Sequence, residues 1–83
     1  MDIPRLQYSA HARDTMKWFG LDAEDLEAIV WYPAHRYVTH RGVEHEGWSS
    51  DGRYLTVVTD HRERRVITIV DKYRRQRLRR YSK

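Results

Sequence analysis

The sequence predicts an α+β domain, two N-terminal helices packed on a three- to four-stranded antiparallel sheet, followed by a basic C-terminal helix or arm. Three observations carry this expectation. Apolar residues recur at helical spacing as far as Pro33, and beyond it they alternate between glycine-containing turn signals. Residues 72–83 hold seven bases and no acid. A chain of 83 residues has room for one modest core, so residues 1–83 read as a single domain with 73–83 as its basic segment.

Each element has a local cause. Ser9 is placed to cap a helix over 10–19, in which Ala12, Met16 and Phe19 share one face and Gly20 supplies the left-handed residue that ends it. Asp22 begins a second helix over 23–31; Glu24, Asp25 and Glu27 suit its positive N-terminal end, and Leu26, Ile29 and Val30 form its apolar stripe. Pro33 stops it, because proline has no amide hydrogen to continue the ladder. Strands follow over 35–40, 43–49, 53–60 and 65–71, separated by Arg41-Gly42, by Ser50-Asp51-Gly52 and by the polar stretch 61–64, in the order of a meander. Trp18, Trp31 and Trp48 are expected in the core, since large aromatic side chains usually pack there.

Composition narrows the function. With no cysteine there are no disulfides, thiolate metal sites or thiol nucleophiles. The longest apolar run, Ala28-Ile29-Val30-Trp31-Tyr32, is far short of a membrane span, and the first residues lack a basic and then apolar leader, so the expected setting is cytoplasmic and away from membranes. The net charge of +4 is unevenly distributed. Residues 1–71 carry nine bases against twelve acids, so the positive charge lies in the terminal segment. Such a segment is the electrostatic footprint of a phosphate polymer, and an acidic protein partner would satisfy it equally well.

The Tyr8-Ser9-Ala10-His11-Ala12 opening, the Gly20-Leu21-Asp22 joint, the acidic second helix and the strands Leu55-Thr56-Val57-Val58 and Val66-Ile67-Thr68-Ile69-Val70 resemble a group of small phage- and plasmid-borne domains. These are similar to BrnT-type toxins, and the resemblance spans residues 8–81. It implies a RelE/ParE-like fold, an RNA target or the ribosome, metal-independent endoribonuclease chemistry and an antitoxin partner. Where the family's first helix usually carries arginines, this chain has Thr15 and Phe19; Val70 and Asp71 replace a tyrosine and an arginine near the last strand. Those departures favour an alternative, a non-catalytic interaction protein that uses the scaffold to bind a host protein.

Metal-free RNA cleavage needs a base for the 2′-hydroxyl, fixed cations for the phosphorane and an acid for the leaving oxygen. The catalytic candidates are His45, Arg53, Lys72 and Tyr73, with His11 added by the resemblance. Alternation places His45 on the face of Val43 and Gly47, opposite Glu44 and Glu46, where it is as much a core-edge residue as a catalytic one. For His11 a structural role, fixing the first helix against the sheet, outweighs catalysis. Arg53 starts one strand and Lys72 follows the last, so antiparallel pairing would set both cations beside one phosphate. The nucleic-acid-binding candidates are Arg74, Arg75, Arg77, Arg79, Arg80 and Tyr81, whose bland reading is a solvated tail. Neither a metal nor a cofactor is expected, because the histidines are separated by turns and lack ligand spacing.

Overall fold

The computed structural model describes residues 6–71. Their order is β1 (Gln7–Tyr8), α1 (Ala10–Phe19), α2 (Ala23–Trp31), β2 (His35–Val38), β3 (Val43–Trp48), β4 (Tyr54–Thr59) and β5 (Arg65–Asp71). The expected α+β class and both helices are present, and the four expected strands are there with β2, β3 and β4 shorter than read. Those four strands pair in the expected antiparallel meander, and the sheet departs from expectation by one added strand. It has five strands in the order β1-β5-β4-β3-β2, and β1 runs parallel to β5, with Gln7 opposite Arg65 and Tyr8 opposite Val66. Two residues are too few for a hydrophobic period to reveal, so β1 left no pattern in the sequence.

Helix α1 begins and ends as its residues dictate. The Ser9 hydroxyl accepts from the Ala12 amide at 3.0 Å and donates to the Ile67 carbonyl at 2.7 Å, so one side chain caps the helix and pins it to β5. Gly20 closes it at φ 60°, a backbone state that costs most other residues about 1–2 kcal/mol. The side chain of Asp22 makes no cap bond at α2; it is Asp25, inside the first turn, whose carboxylate is engaged, accepting from the amide and hydroxyl of Ser50 at 3.2 and 3.0 Å.

Leu6, Ala12, Leu21, Leu26, Ile29, Val30, Leu55, Val57, Val66 and Ile69 form the core between helices and sheet. A fully buried leucine or isoleucine contributes about 1.5–3 kcal/mol, which makes α2 the main anchor, since Leu26, Ile29 and Val30 all point inward. Gly47 lets α2 approach: a Cβ there would sit 3.3 Å from Ile29 Cγ1. In β5 a bulge sets Val58 opposite Thr68 and Thr59 opposite Val66, leaving Ile67 as the extra residue. That shift puts Val66 and Ile69 on the same, core-facing side, where unbroken alternation would separate them.

The tryptophans correct a second expectation. Trp18, Trp31 and Trp48 lie outside the core, at 84%, 37% and 63% exposure. Position governs here: Trp18 falls off the Ala12–Met16 stripe of α1, and Trp48 shares the outward parity of Glu44, on the face opposite Val43, His45 and Gly47. Among the described residues no helix is long and apolar enough to cross a membrane.

Candidate nucleic-acid interface

Three arginines in four positions, Arg62, Arg64 and Arg65, stand at the turn from β4 to β5. The turn owes its shape to Asp60, whose carboxylate accepts from the amides of Arg64 at 3.0 Å and Arg65 at 3.3 Å. Those amides hold the Asp60 carboxyl below its ordinary value of 3.8. His61 adds a tether, its Nε2 lying 2.8 Å from the Thr39 carbonyl. All three arginines are exposed, and none forms a salt bridge with another described residue. They line a hollow of about 650 Å³ together with Gln7, Trp31 and Glu63.

Glu63 joins this rim to a buried histidine. Its carboxylate accepts from Arg36 Nε at 2.7 Å, and the same oxygen lies 3.6 Å from His45 Nε2. The bond from Arg36 holds the Glu63 carboxyl below its ordinary 4.5, against the smaller opposing effect of burial. His45 is wholly inaccessible to solvent, on the face of Val43 and Gly47 as alternation predicted. Its Nε2 lies 3.1 Å from the Thr59 hydroxyl, and that hydroxyl reaches the Asp60 carbonyl at 3.1 Å. Thr59 has one proton to give and a carbonyl to receive it, so it accepts from an Nε2–H. The neighbouring Glu63 oxygen favours the same tautomer. Nδ1 is buried and has no partner among the described residues, so a second proton would be stranded. Burial accordingly lowers the pKa of His45 from 6.5, overriding the opposite pull of Glu63.

The residues singled out from sequence are not all gathered into one place. His45 pairs with Val57 in the middle of the sheet and its ring is directed to Thr59, whereas Arg53 stands before Tyr54 at the far end of β4. Arg53 is engaged with the end of α1: one Nη donates to the Phe19 carbonyl, the other to that of Gly20 at 3.3 Å, and Asp51 Oδ2 lies 2.6 Å away. With the Arg53 contact first and the Ser49 hydroxyl second, Asp51 is held down at about 2. His11 is exposed on α1, beside Asp14, Thr15 and Trp18, which does not fit a role in fixing that helix to the sheet. Lys72, Tyr73, Arg74, Arg75, Arg77, Arg79, Arg80 and Tyr81 lie outside the described residues; Asp71, the last described residue, pairs with Leu55 at the Arg53 end of the sheet.

No family model, curated protein or solved structure matches the chain.

Sequence reading passed over the arginine turn. Its signal was present in Arg62-Glu63-Arg64-Arg65, a dense basic cluster inside the otherwise acidic part of the chain, but the larger excess after Asp71 overshadowed it. The opposite face of the sheet is of different character. There a groove of about 500 Å³ combines Glu44, Arg41 and the buried Glu46, which accepts from the Tyr54 hydroxyl, with Val58, Ile67 and Val70.

Proposed function

We propose that this chain is an RNA-binding protein on a BrnT-like, RelE/ParE-type toxin scaffold, acting in the cytoplasm and gripping the phosphate backbone at the β4–β5 arginine turn together with the basic segment 73–83. The observation that supports this most is the exposure of Arg62, Arg64 and Arg65 around one hollow, which Trp31, itself 37% exposed, also lines. Guanidinium groups bind phosphate oxygens in pairs, and an accessible indole offers a stacking surface to an unpaired base.

Binding has better support than cleavage. His45 offers no free lone pair at Nε2 and no solvent path at Nδ1, so it is a poor general base, and Arg53 is committed to the end of α1. Of the catalytic candidates, His11, Lys72 and Tyr73 are left to carry any endoribonuclease activity. The decisive measurement is fluorescence anisotropy of labelled single-stranded RNA with the wild-type chain and with Arg62→Gln/Arg64→Gln/Arg65→Gln. The triple variant should bind at least tenfold more weakly, and equal affinity would remove the turn from the interface. A parallel assay, growth and RNA integrity on expression with and without the genomic neighbour, tests the toxin and antitoxin parts of the reading.

A second reading, an interaction protein that binds a host protein, is favoured by the groove on the other face of the sheet. Exposed Ile67 and Val70 beside Val58, with Glu44 and Arg41 carrying opposite charges, suit a partly apolar polypeptide. Stable capture of a host protein by a chain that leaves RNA intact and growth normal is the outcome that would place this reading first.

A further inference from the structure

The sheet face turned away from the helices is buried at its centre. Glu46 on β3 pairs with Thr56 on β4, which pairs with Val70 on β5, and Tyr54 shares their parity. Both helices pack on the other side, against Leu55, Val57, Val66 and Ile69, and among the described residues no helix or strand lies over this one. A strand covered on one side alternates between buried and exposed residues. β4 does not: Tyr54, Leu55, Thr56 and Val57 are buried in succession, and Glu46 keeps only 8% exposure. The Glu46 side chain reaches further from the sheet than those of Thr56 and Val70 in its row, so they do not by themselves shield its carboxylate. Burial then fades along the face, and Glu44, Val58 and Thr68 in the next row are half-buried.

The deeper row lies where the chain leaves the sheet. Asp71, the last described residue, pairs with Leu55 and so stands level with the stretch from Tyr54 to Thr56. Residues 72–83 continue from it with seven bases and no acid, and Tyr73, Leu78 and Tyr81 are interspersed among the bases. Crossing from β5 to β3 takes two strand spacings, about 10 Å. Residues 72–83 would extend about 18 Å even as a helix, so the reach is sufficient. Charge is complementary as well, since a carboxylate taken out of water is stable where a cation accompanies it. Arg41, the base already in the groove, stands at its far end, in the turn between β2 and β3. Val58, Ile67 and Val70 add apolar surface beside Glu46. We propose that residues 72–83 fold back across this face, setting bases over Glu46 and Leu78 against Val58 and Val70. The inference goes beyond the RNA-binding reading and does not depend on it: seven bases exceed the two carboxylates Glu44 and Glu46, so the remainder stay outward for phosphate. The groove is then filled by the chain's own polypeptide, which a host protein would have to displace.

The chain has no cysteine, so Ser82→Cys in the full-length protein creates a single attachment point for a nitroxide, well separated in sequence from Asp71. Paramagnetic broadening of amide NMR signals then reports which residues the label approaches. With the segment across the face, Glu46, Thr56 and Val58 should be broadened several-fold more than Asp14 and Trp18 on the exposed side of α1. Adding Leu78→Asp should remove most of that difference. Weak broadening throughout, equal broadening of both faces, or a pattern indifferent to Leu78→Asp overturns the cover. Broadening that passes instead from a nitroxide-bearing chain to an isotopically labelled, nitroxide-free one identifies a second copy as the occupant and overturns it too. RNA anisotropy on the same protein keeps the two readings apart. RNA binding without face-selective broadening overturns the cover and leaves the RNA reading standing; face-selective broadening without RNA binding does the reverse. Because the pattern with the native Leu78 decides the matter by itself, a Leu78→Asp variant that fails to fold does not remove the test.

Discussion

At the scale of single residues, the chemistry of His45 follows from what its two nitrogens face. Nε2 donates to Thr59, and Nδ1 lies in the core with no partner among the described residues, so the folded chain strongly prefers the neutral ring. The folded value lies below the ordinary 6.5, so the unfolded chain takes up this proton first as pH falls. Stability tied to the neutral ring is complete above about 6.5 and is lost as pH drops from there toward the folded value. Urea midpoints should therefore decline between pH 7.5 and 5.5, and His45→Leu should flatten that decline; an equally steep profile in the variant would show that another group is responsible. Glu63 and Asp60 act in a separate, more acidic window. Their folded values are depressed, so their contribution is present above their ordinary values of 4.5 and 3.8 and disappears as pH falls through the folded ones. The side of the sheet on which His45 lies was legible, because Val43, His45 and Gly47 share parity. Its partner Glu63 was not, since that contact depends on how a turn folds back beneath a neighbouring strand, which no local pattern encodes.

At the scale of elements, Ser9 and the β5 bulge act as one device. The Ser9 hydroxyl caps α1 and donates to the carbonyl of Ile67, the residue the bulge expels from register, while the Ser9 amide donates to Val66 at 2.9 Å. Removing the hydroxyl leaves an α1 amide and a strand carbonyl unpaired, so Ser9→Ala should cost about 1–2 kcal/mol in chemical denaturation, near the upper end of cap effects. A cost below about 0.5 kcal/mol would mean that water replaces both bonds. The cap itself could be read from Ser9 and Gly20, as could the limits of both helices, because each signal lies within a few residues of the position it controls. The bulge and β1 could not. Val66-Ile67-Thr68-Ile69-Val70 is apolar enough on both parities to accept either register, and only the packed sheet selects the one that places Val66 beside Ile69. The exposed Trp18 and Trp48 were misjudged for the opposite reason. Helical and strand periods already set them outward, and residue type was weighted above position.

At the scale of the whole molecule, basic charge is gathered into two regions. Arg62, Arg64 and Arg65 mark the β4–β5 end, and Arg74, Arg75, Arg77, Arg79 and Arg80 follow beyond the described residues. If one RNA strand spans both basic regions, each must contribute its own counterion release. For single-stranded nucleic acid, log K falls with log salt by about 0.7 per phosphate neutralised. Replacing Arg62, Arg64 and Arg65 by glutamine should then reduce the slope by about 2 if each holds one phosphate. Replacing Arg74, Arg75 and Arg77 should reduce it by a similar amount, and the two losses should add when combined, because independent contacts release independent ions. The measurement is anisotropy of a labelled RNA oligomer across a salt series, with circular dichroism to establish that every variant remains folded. Additive slopes place both regions on one strand. A slope that changes only with the terminal arginines assigns binding to that segment alone and leaves the arginine turn with no part in it. A slope near zero in the wild type is incompatible with phosphate recognition at either region and would shift the function toward the apolar groove of Val58, Ile67 and Val70 and a polypeptide partner.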